Sequence, residues 1–236
     1  MLGRTAHQET ALFLPPRWLI RVHRSGTKKY RLGAEEGKLS RIYFDRHIYI
    51  PLLLEQQGLQ VSPPGLIPSE EQWVRDLRAF WEQEKCGLLA GKELFLLRNL
   101  GRGKGVGFFE GRGFYPDFIL WVLEPSRKHQ RIVFIEPHGM VYAKAYIHDE
   151  KAHLHEYLRT LSQQLPPPSN GWTVELDSYL VSATPFDELR ERYDDGTWDR
   201  AKFEQHHILF PERNGEYDYL RFILVPPRES APDPLR

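Results

Sequence analysis

Asp117, Glu136 and His138 are the residues of this chain whose types and spacing could do chemistry. They lie in GFYPDFILWVLEPSRKHQRIVFIEPHGM, residues 113–140, where Asp117 opens one apolar run and Glu136 closes the next. Residues two apart in a strand share a face, so Glu136 and His138 look the same way across Pro137. If FILWVL pairs antiparallel with IVFIE through the charged turn EPSRKHQR, Asp117 lands beside Glu136 at a sheet end. Two neighbouring carboxylates against apolar strands are costly unless a cation lies between them. A hard divalent ion with oxygen ligands, Mg²⁺ or Mn²⁺, is the least costly solution. Such an ion can bind a phosphate oxygen, lower the pKa of bound water and stabilise charge in an in-line displacement, which points to phosphodiester hydrolysis.

The elements that must position these residues can be read around them. FILWVL and IVFIE are short, nearly continuous apolar runs, the pattern of central strands covered on both faces. SEEQWVRDLRAFWEQEKCG reads as a helix with Ser69 as its N-cap, Glu70 and Glu71 in the first turn, and Trp73, Leu77, Phe80 and Trp81 at helical spacing. KELFLLRNL, about residues 92 to 100, reads as a strand. Residues 149–164 form a second expected helix, with Leu154, Tyr157, Leu158 and Leu161 in register. WTVELDSYLVSATP supplies another strand, FDELRERYDDGTWDRAKFEQH one or two short helices, and HHILFPERNGEYDYLRFILV a terminal strand or strand plus helix. RWLIRVHRSGTKKYRLG is a basic strand or hairpin, VSPPGLIPS a connector, and PPRESAPDPLR a disordered tail.

Other clusters carry less. GRGKGVG lacks the GK[ST] and following helix of a nucleotide loop. As a basic, glycine-rich loop it places Arg98, Arg102, Lys104 and Arg112 to contact a nucleic-acid backbone, with a solvated hairpin as the alternative. His148, His153 and His155 read as the exposed face of the second helix. His206 and His207, being adjacent ahead of a strand, should point to opposite faces and share no metal.

Thirty-two basic and thirty-two acidic residues give no net charge, so DNA affinity would rest on local patches. A hydrophobic content of 41% argues for a packed core. The single Cys86 allows no internal disulfide, and with no long apolar run or signal-like N terminus the expectation is a reducing cytoplasm.

Pro116-Asp117, followed nineteen residues on by Glu136-Pro137-His138, resembles the motif of the PD-(D/E)xK nuclease superfamily. SEEQWVRDLRAF, ELFLLRNLGRGKGVGFFE, FYPDFILW and FIEPHGM, in that order, are similar to the C-terminal nuclease region of type III restriction and related DEAD/DEAH-helicase-linked proteins. RHIYIPLLL and HHILF fit its flanks. The likeness covers about residues 44 to 224 and is strongest from 70 to 140. It implies an α/β fold with a restriction-endonuclease-like central mixed β-sheet flanked by helices. The expected organisation is a basic β/helical segment over 1–60, a nuclease domain over 61–227 and a tail over 228–236.

The resemblance also implies that Asp117 and Glu136 bind Mg²⁺ or Mn²⁺, assisted by the backbone carbonyl of Pro137 and by Glu70, with Glu71 close behind. His138 stands where the pattern has lysine. A mostly neutral imidazole does not replace a permanent ammonium, but it can act as a base or ligate a softer metal. Lys144, six residues on, is a candidate to swing in. The chain has no GxxxxGK[ST] or DEAH-type sequence of its own, so the expected partners are DNA and a helicase/ATPase motor in a restriction, antiviral defence or DNA-processing system. The alternative is a non-catalytic module of the same fold that binds DNA or a partner.

Overall fold

In the computed structural model of the 236-residue chain the described residues are 65–99, 106–108, 114–140, 145–166, 168–211 and 217–226, with four two-residue strands nearer the N terminus. These are β1 (Arg21–Val22), β2 (Arg41–Ile42), β3 (Leu52–Leu53) and β4 (Val61–Ser62), with β1 paired to β4 and β2 to β3, both antiparallel. Arg102, Lys104, Arg112, Lys144 and the C-terminal tail lie outside the described residues.

Helix α1 (Pro68–Glu84) begins two residues before the sequence expectation. Pro68 takes the first helical position, where its fixed φ suits the helix and its missing N–H costs nothing, so the cap moves to Ile67. Glu70 then accepts a hydrogen bond from the Ile67 amide at 3.0 Å. Ser69, expected as the cap, instead donates its hydroxyl to the Pro137 carbonyl at 3.3 Å, tying the helix start to the strand that carries Glu136. Trp73, Val74, Leu77 and Phe80 form the buried stripe, each worth about 1.5–3 kcal/mol of burial.

The rest of the chain builds one five-stranded mixed sheet. In chain order come β5 (Glu93–Arg98), β6 (Phe118–Glu124), β7 (His129–His138), helix α2 (Leu154–Gln164), β8 (Thr173–Ser182), helices α3 (Phe186–Arg190) and α4 (Arg200–Gln205), β9 (Ile208–Leu209) and helix α5 (Tyr219–Leu224). The spatial order is β5-β6-β7-β8-β9, antiparallel across the first three and parallel across the last three. The expected antiparallel pairing of FILWVL with IVFIE is present, with Phe118 opposite Ile135. β7 is longer than its apolar core because β6 and β8 bond it on both sides, carrying the strand through Pro137 to His138.

Alternation sorts the side chains into layers. Phe118, Leu120, Val122, Val133 and Ile135 pack with α1 and α5, while Ile119, Trp121, Ile132 and Phe134 pack with α2. Glu136 follows Phe134 by two and therefore belongs to the α2 face. The second helix starts at Leu154, five residues after the sequence expectation. Tyr146–His148 form a 3₁₀ turn, and Asp149 Oδ1 accepts from the Lys151 and Ala152 amides at 3.2 and 3.3 Å. Among the described residues no helix is long and apolar enough to cross a membrane.

Candidate active site

Asp117 and Glu136 meet where β6 begins and β7 ends. The Asp117 amide donates to Glu136 Oε2 at 3.1 Å, one pair beyond the Phe118–Ile135 register. The Asp117 backbone is held from its other side by Asn99, whose amide donates to the Asp117 carbonyl at 2.8 Å. The Asn99 side chain donates to the carbonyls of Pro116, at 2.7 Å, and Val106, at 2.8 Å. Asn99 is buried, so these bonds fix the Pro116-Asp117 corner in a way the sequence did not signal.

Glu136 is buried, and burial first, then the nearby Asp117 carboxylate, push its pKa up to about 7. What opposes that rise is Lys151, whose ammonium lies 2.6 Å from Glu136 Oε1 and 5.0 Å from the Phe114 ring centre. The Asp149 turn aims this lysine at the strand end. His138 faces the same side as Glu136; partial burial of its ring, then the Lys151 charge, lower its pKa below the ordinary imidazole value. Lys151 thus reaches the Glu136 carboxylate from fifteen residues further along the chain.

The third carboxylate enters from α1. Glu70 is buried and accepts an ion pair from Arg98 Nη2 at 2.7 Å, while Arg98 Nη1 sits 3.5 Å from Asp117 Oδ1. Burial raises the Glu70 pKa, and Arg98 opposes that rise. The sequence placed Arg98 on a loop facing a nucleic-acid backbone. The structure corrects this: Arg98 is the last residue of β5 and shares its inward face with Leu94 and Leu96. That alternation was the available signal, obscured by the glycines and basic residues that follow. Arg98 Nε and Nη1 are buried and make no hydrogen bond among the described residues. The Pro137 carbonyl lies at the same corner and accepts from the Ser69 hydroxyl at 3.3 Å.

The histidine expectations change outside this site. His148 is exposed as expected, but His155 is buried, its ring stacked on His207 at 4.2 Å because β9 and the turn before it cover that side of α2. His206 and His207 precede β9 and do not belong to it, and His207 takes a left-handed φ of 58°. Strand alternation therefore does not govern them.

A cleft of 1210 Å³ opens elsewhere, over His129, Arg131, Glu175, Asp177 and His207. Its central charges already pair with one another, whereas Asp117, among the described residues, has the 3.5 Å contact with Arg98 as its ion pair and a side chain 31% exposed. No family model matches the chain, and no curated protein or solved structure shows significant similarity to it.

The buried Glu136 gives a pH signature. Its folded pKa lies above the ordinary 4.5, so the native state binds more protons than the unfolded state between about 4.5 and about 7. Its contribution to stability therefore falls as pH rises across that window, by up to about 3 kcal/mol. Glu136→Gln should remove this slope. Urea unfolding at pH 5 and pH 7.5 measures it as a gap between the two proteins that shifts in favour of the variant at the higher pH. A gap independent of pH would contradict the assignment.

Proposed function

We propose that the chain is a divalent-metal-dependent endonuclease module that hydrolyses DNA phosphodiester bonds, and that its α/β architecture is restriction-endonuclease-like. The helix–strand–strand–strand–helix–strand order from α1 to β8, with Asp117 and Glu136 at the junction of β6 and β7, supports the fold reading. The observation that carries the chemistry is the convergence of three carboxylates, Glu70, Asp117 and Glu136, on two cations, Arg98 and Lys151. With all three carboxylates ionised, one negative charge is left over. A divalent ion would leave a surplus of one positive charge, which matches a phosphodiester anion.

Asp117 and Glu136 would hold Mg²⁺ or Mn²⁺, with the Pro137 carbonyl and Glu70 nearby, and the ion would polarise the phosphate and acidify a bound water. This chain's own residues supply the rest. Lys151 favours the ionised form of Glu136 and offers a positive charge where negative charge develops. His138, neutral and exposed on the same face, can accept a proton from the attacking water. Arg98 fixes Glu70 against Asp117, and its unsatisfied N–H groups are donors to an acceptor arriving there. A helicase or ATPase motor as partner, and a place in restriction or defence, extend this reading on the strength of the sequence resemblance.

The test is supercoiled plasmid DNA incubated with the protein and Mg²⁺ or Mn²⁺. Nicked and linear products are expected, lost in EDTA and lost in Asp117→Asn. Cleavage unchanged in Asp117→Asn, or absent with either metal, would overturn the nuclease reading. Retained DNA binding would then favour a non-catalytic module of the same fold.

A further inference from the structure

We propose that His155, Glu156 and His206 form a site for one divalent transition-metal ion of the Zn²⁺ type, which staples α2 to the end of α4. The proposal is independent of the nuclease reading and uses none of its residues. One donor atom from each of the three side chains lies within 4.8 Å of the others, although they come from two elements far apart in the chain. His155 and Glu156 open α2, and His206 caps α4.

Each donor is oriented by a neighbour. His155 Nδ1 lies 2.7 Å from the Ala152 carbonyl, and because a carbonyl only accepts, Nδ1 carries the proton and Nε2 keeps its lone pair. That Nε2 is 4.0 Å from Glu156 Oε1. Metal-bound imidazoles are commonly set by such a bond from the other ring nitrogen to a backbone carbonyl. Ligands about 2.0–2.2 Å from one zinc lie roughly 3.3–4 Å apart, so small side-chain rotations close the set. The Glu156 carboxylate is held by the Tyr146 hydroxyl at 2.8 Å and by His153 Nδ1 at 3.2 Å. His206 is clamped between rings, 4.5 Å from Trp198 and 4.3 Å from Tyr146, and among the described residues neither of its ring nitrogens makes a hydrogen bond.

The chemistry selects the ion. Two imidazole nitrogens and one carboxylate suit zinc, cobalt or nickel over magnesium or calcium. Three protein ligands leave a position for water. Bridging α2 to α4 across the parallel strands gives the ion a stabilising role.

The experiment is titration of chelator-treated protein with Co²⁺ and then Zn²⁺. Expected are one tightly bound equivalent per chain, a visible Co²⁺ spectrum of low coordination number displaced by Zn²⁺, and an unfolding midpoint that rises with Zn²⁺ concentration. His206→Gln should abolish the spectrum and the midpoint shift, Tyr146→Phe should weaken binding about tenfold, and Asp117→Asn should leave both readouts intact. Glu156→Gln, at an exposed position, repeats the test should His206→Gln fail to fold. No cobalt spectrum in the wild type, or one that survives both ligand substitutions, overturns the proposal.

Discussion

Replacing Lys151 by alanine should lower metal-dependent DNA cleavage by about 10²–10³-fold, the loss typical of removing one preorganised group that faces developing negative charge. His138→Ala should cost less than about tenfold, within the range of a single modest proton-transfer contribution. The difference rests on charge and place. Lys151 Nζ is 2.6 Å from Glu136 Oε1, while His138 is a neutral ring beside it. His138→Lys, which restores the residue type of the motif, should bring no gain, because a second ammonium would share the space that Lys151 already fills.

Two readouts separate this role from a structural one. Without Lys151, only the Asp117 amide offsets the burial and the Asp117 charge that raise the Glu136 pKa, so the pH–rate profile of Lys151→Ala should shift to higher pH. At a pH where Glu136 is ionised in both proteins, the Mg²⁺ needed for half-maximal rate should not rise, since a competing cation has been removed. A Lys151→Ala rate within tenfold of wild type, with His138→Ala inactive, would return the role to the histidine.

The site was legible as far as local pattern reaches. Two apolar runs joined by a short charged turn have one economical arrangement, an antiparallel pair, and that pairing alone brings Asp117 to Glu136. Lys151 was hidden because its position depends on a turn. Asp149 gathers the Lys151 and Ala152 amides, delays α2 to Leu154, and so leaves Lys151 ahead of the helix and aimed back at β7. A continuous helix over 149–164 gives no reason for that lysine to reach back to Glu136. His155 was misread for a related reason: helical spacing sorts residues by face, but only β9 and the turn before it decide that the His155 face is covered. Arg98 could have been placed from the alternation in ELFLLR, had its charge not been joined to the basic loop after it.

The largest expected loss of stability is at Arg131, buried on the opposite face of β7 from Glu136. Its guanidinium reaches Glu175 Oε1 at 2.8 Å, Asp177 Oδ2 at 2.7 Å and the Ile223 carbonyl at 2.6 Å, tying β7 and β8 to α5. Burial would raise the Asp177 pKa, but His207, at 3.0 Å, and Arg131 outweigh it and hold that carboxyl below its ordinary range. Arg131→Met keeps the volume and removes the charge, stranding Asp177 and leaving the Ile223 carbonyl without this donor. Breaking a buried pair from one side costs about 3–5 kcal/mol, which for a domain of this size is a fall of roughly 6–20 °C in Tm.

The sign with pH follows from Asp177. In the wild type its depressed pKa contributes stability above the ordinary value that is lost as pH falls through the folded value. In Arg131→Met the same carboxyl titrates higher, and protonation relieves it. The gap between variant and wild type should therefore be widest near pH 7 and narrow toward pH 4. Adding Asp177→Leu to Arg131→Met should recover part of the loss, because an apolar pair leaves no stranded charge there. Urea unfolding of the three proteins at both pH values measures this. A loss under about 1 kcal/mol, or a gap that does not narrow in acid, would show that Asp177 is carried by His207 and its backbone bonds alone.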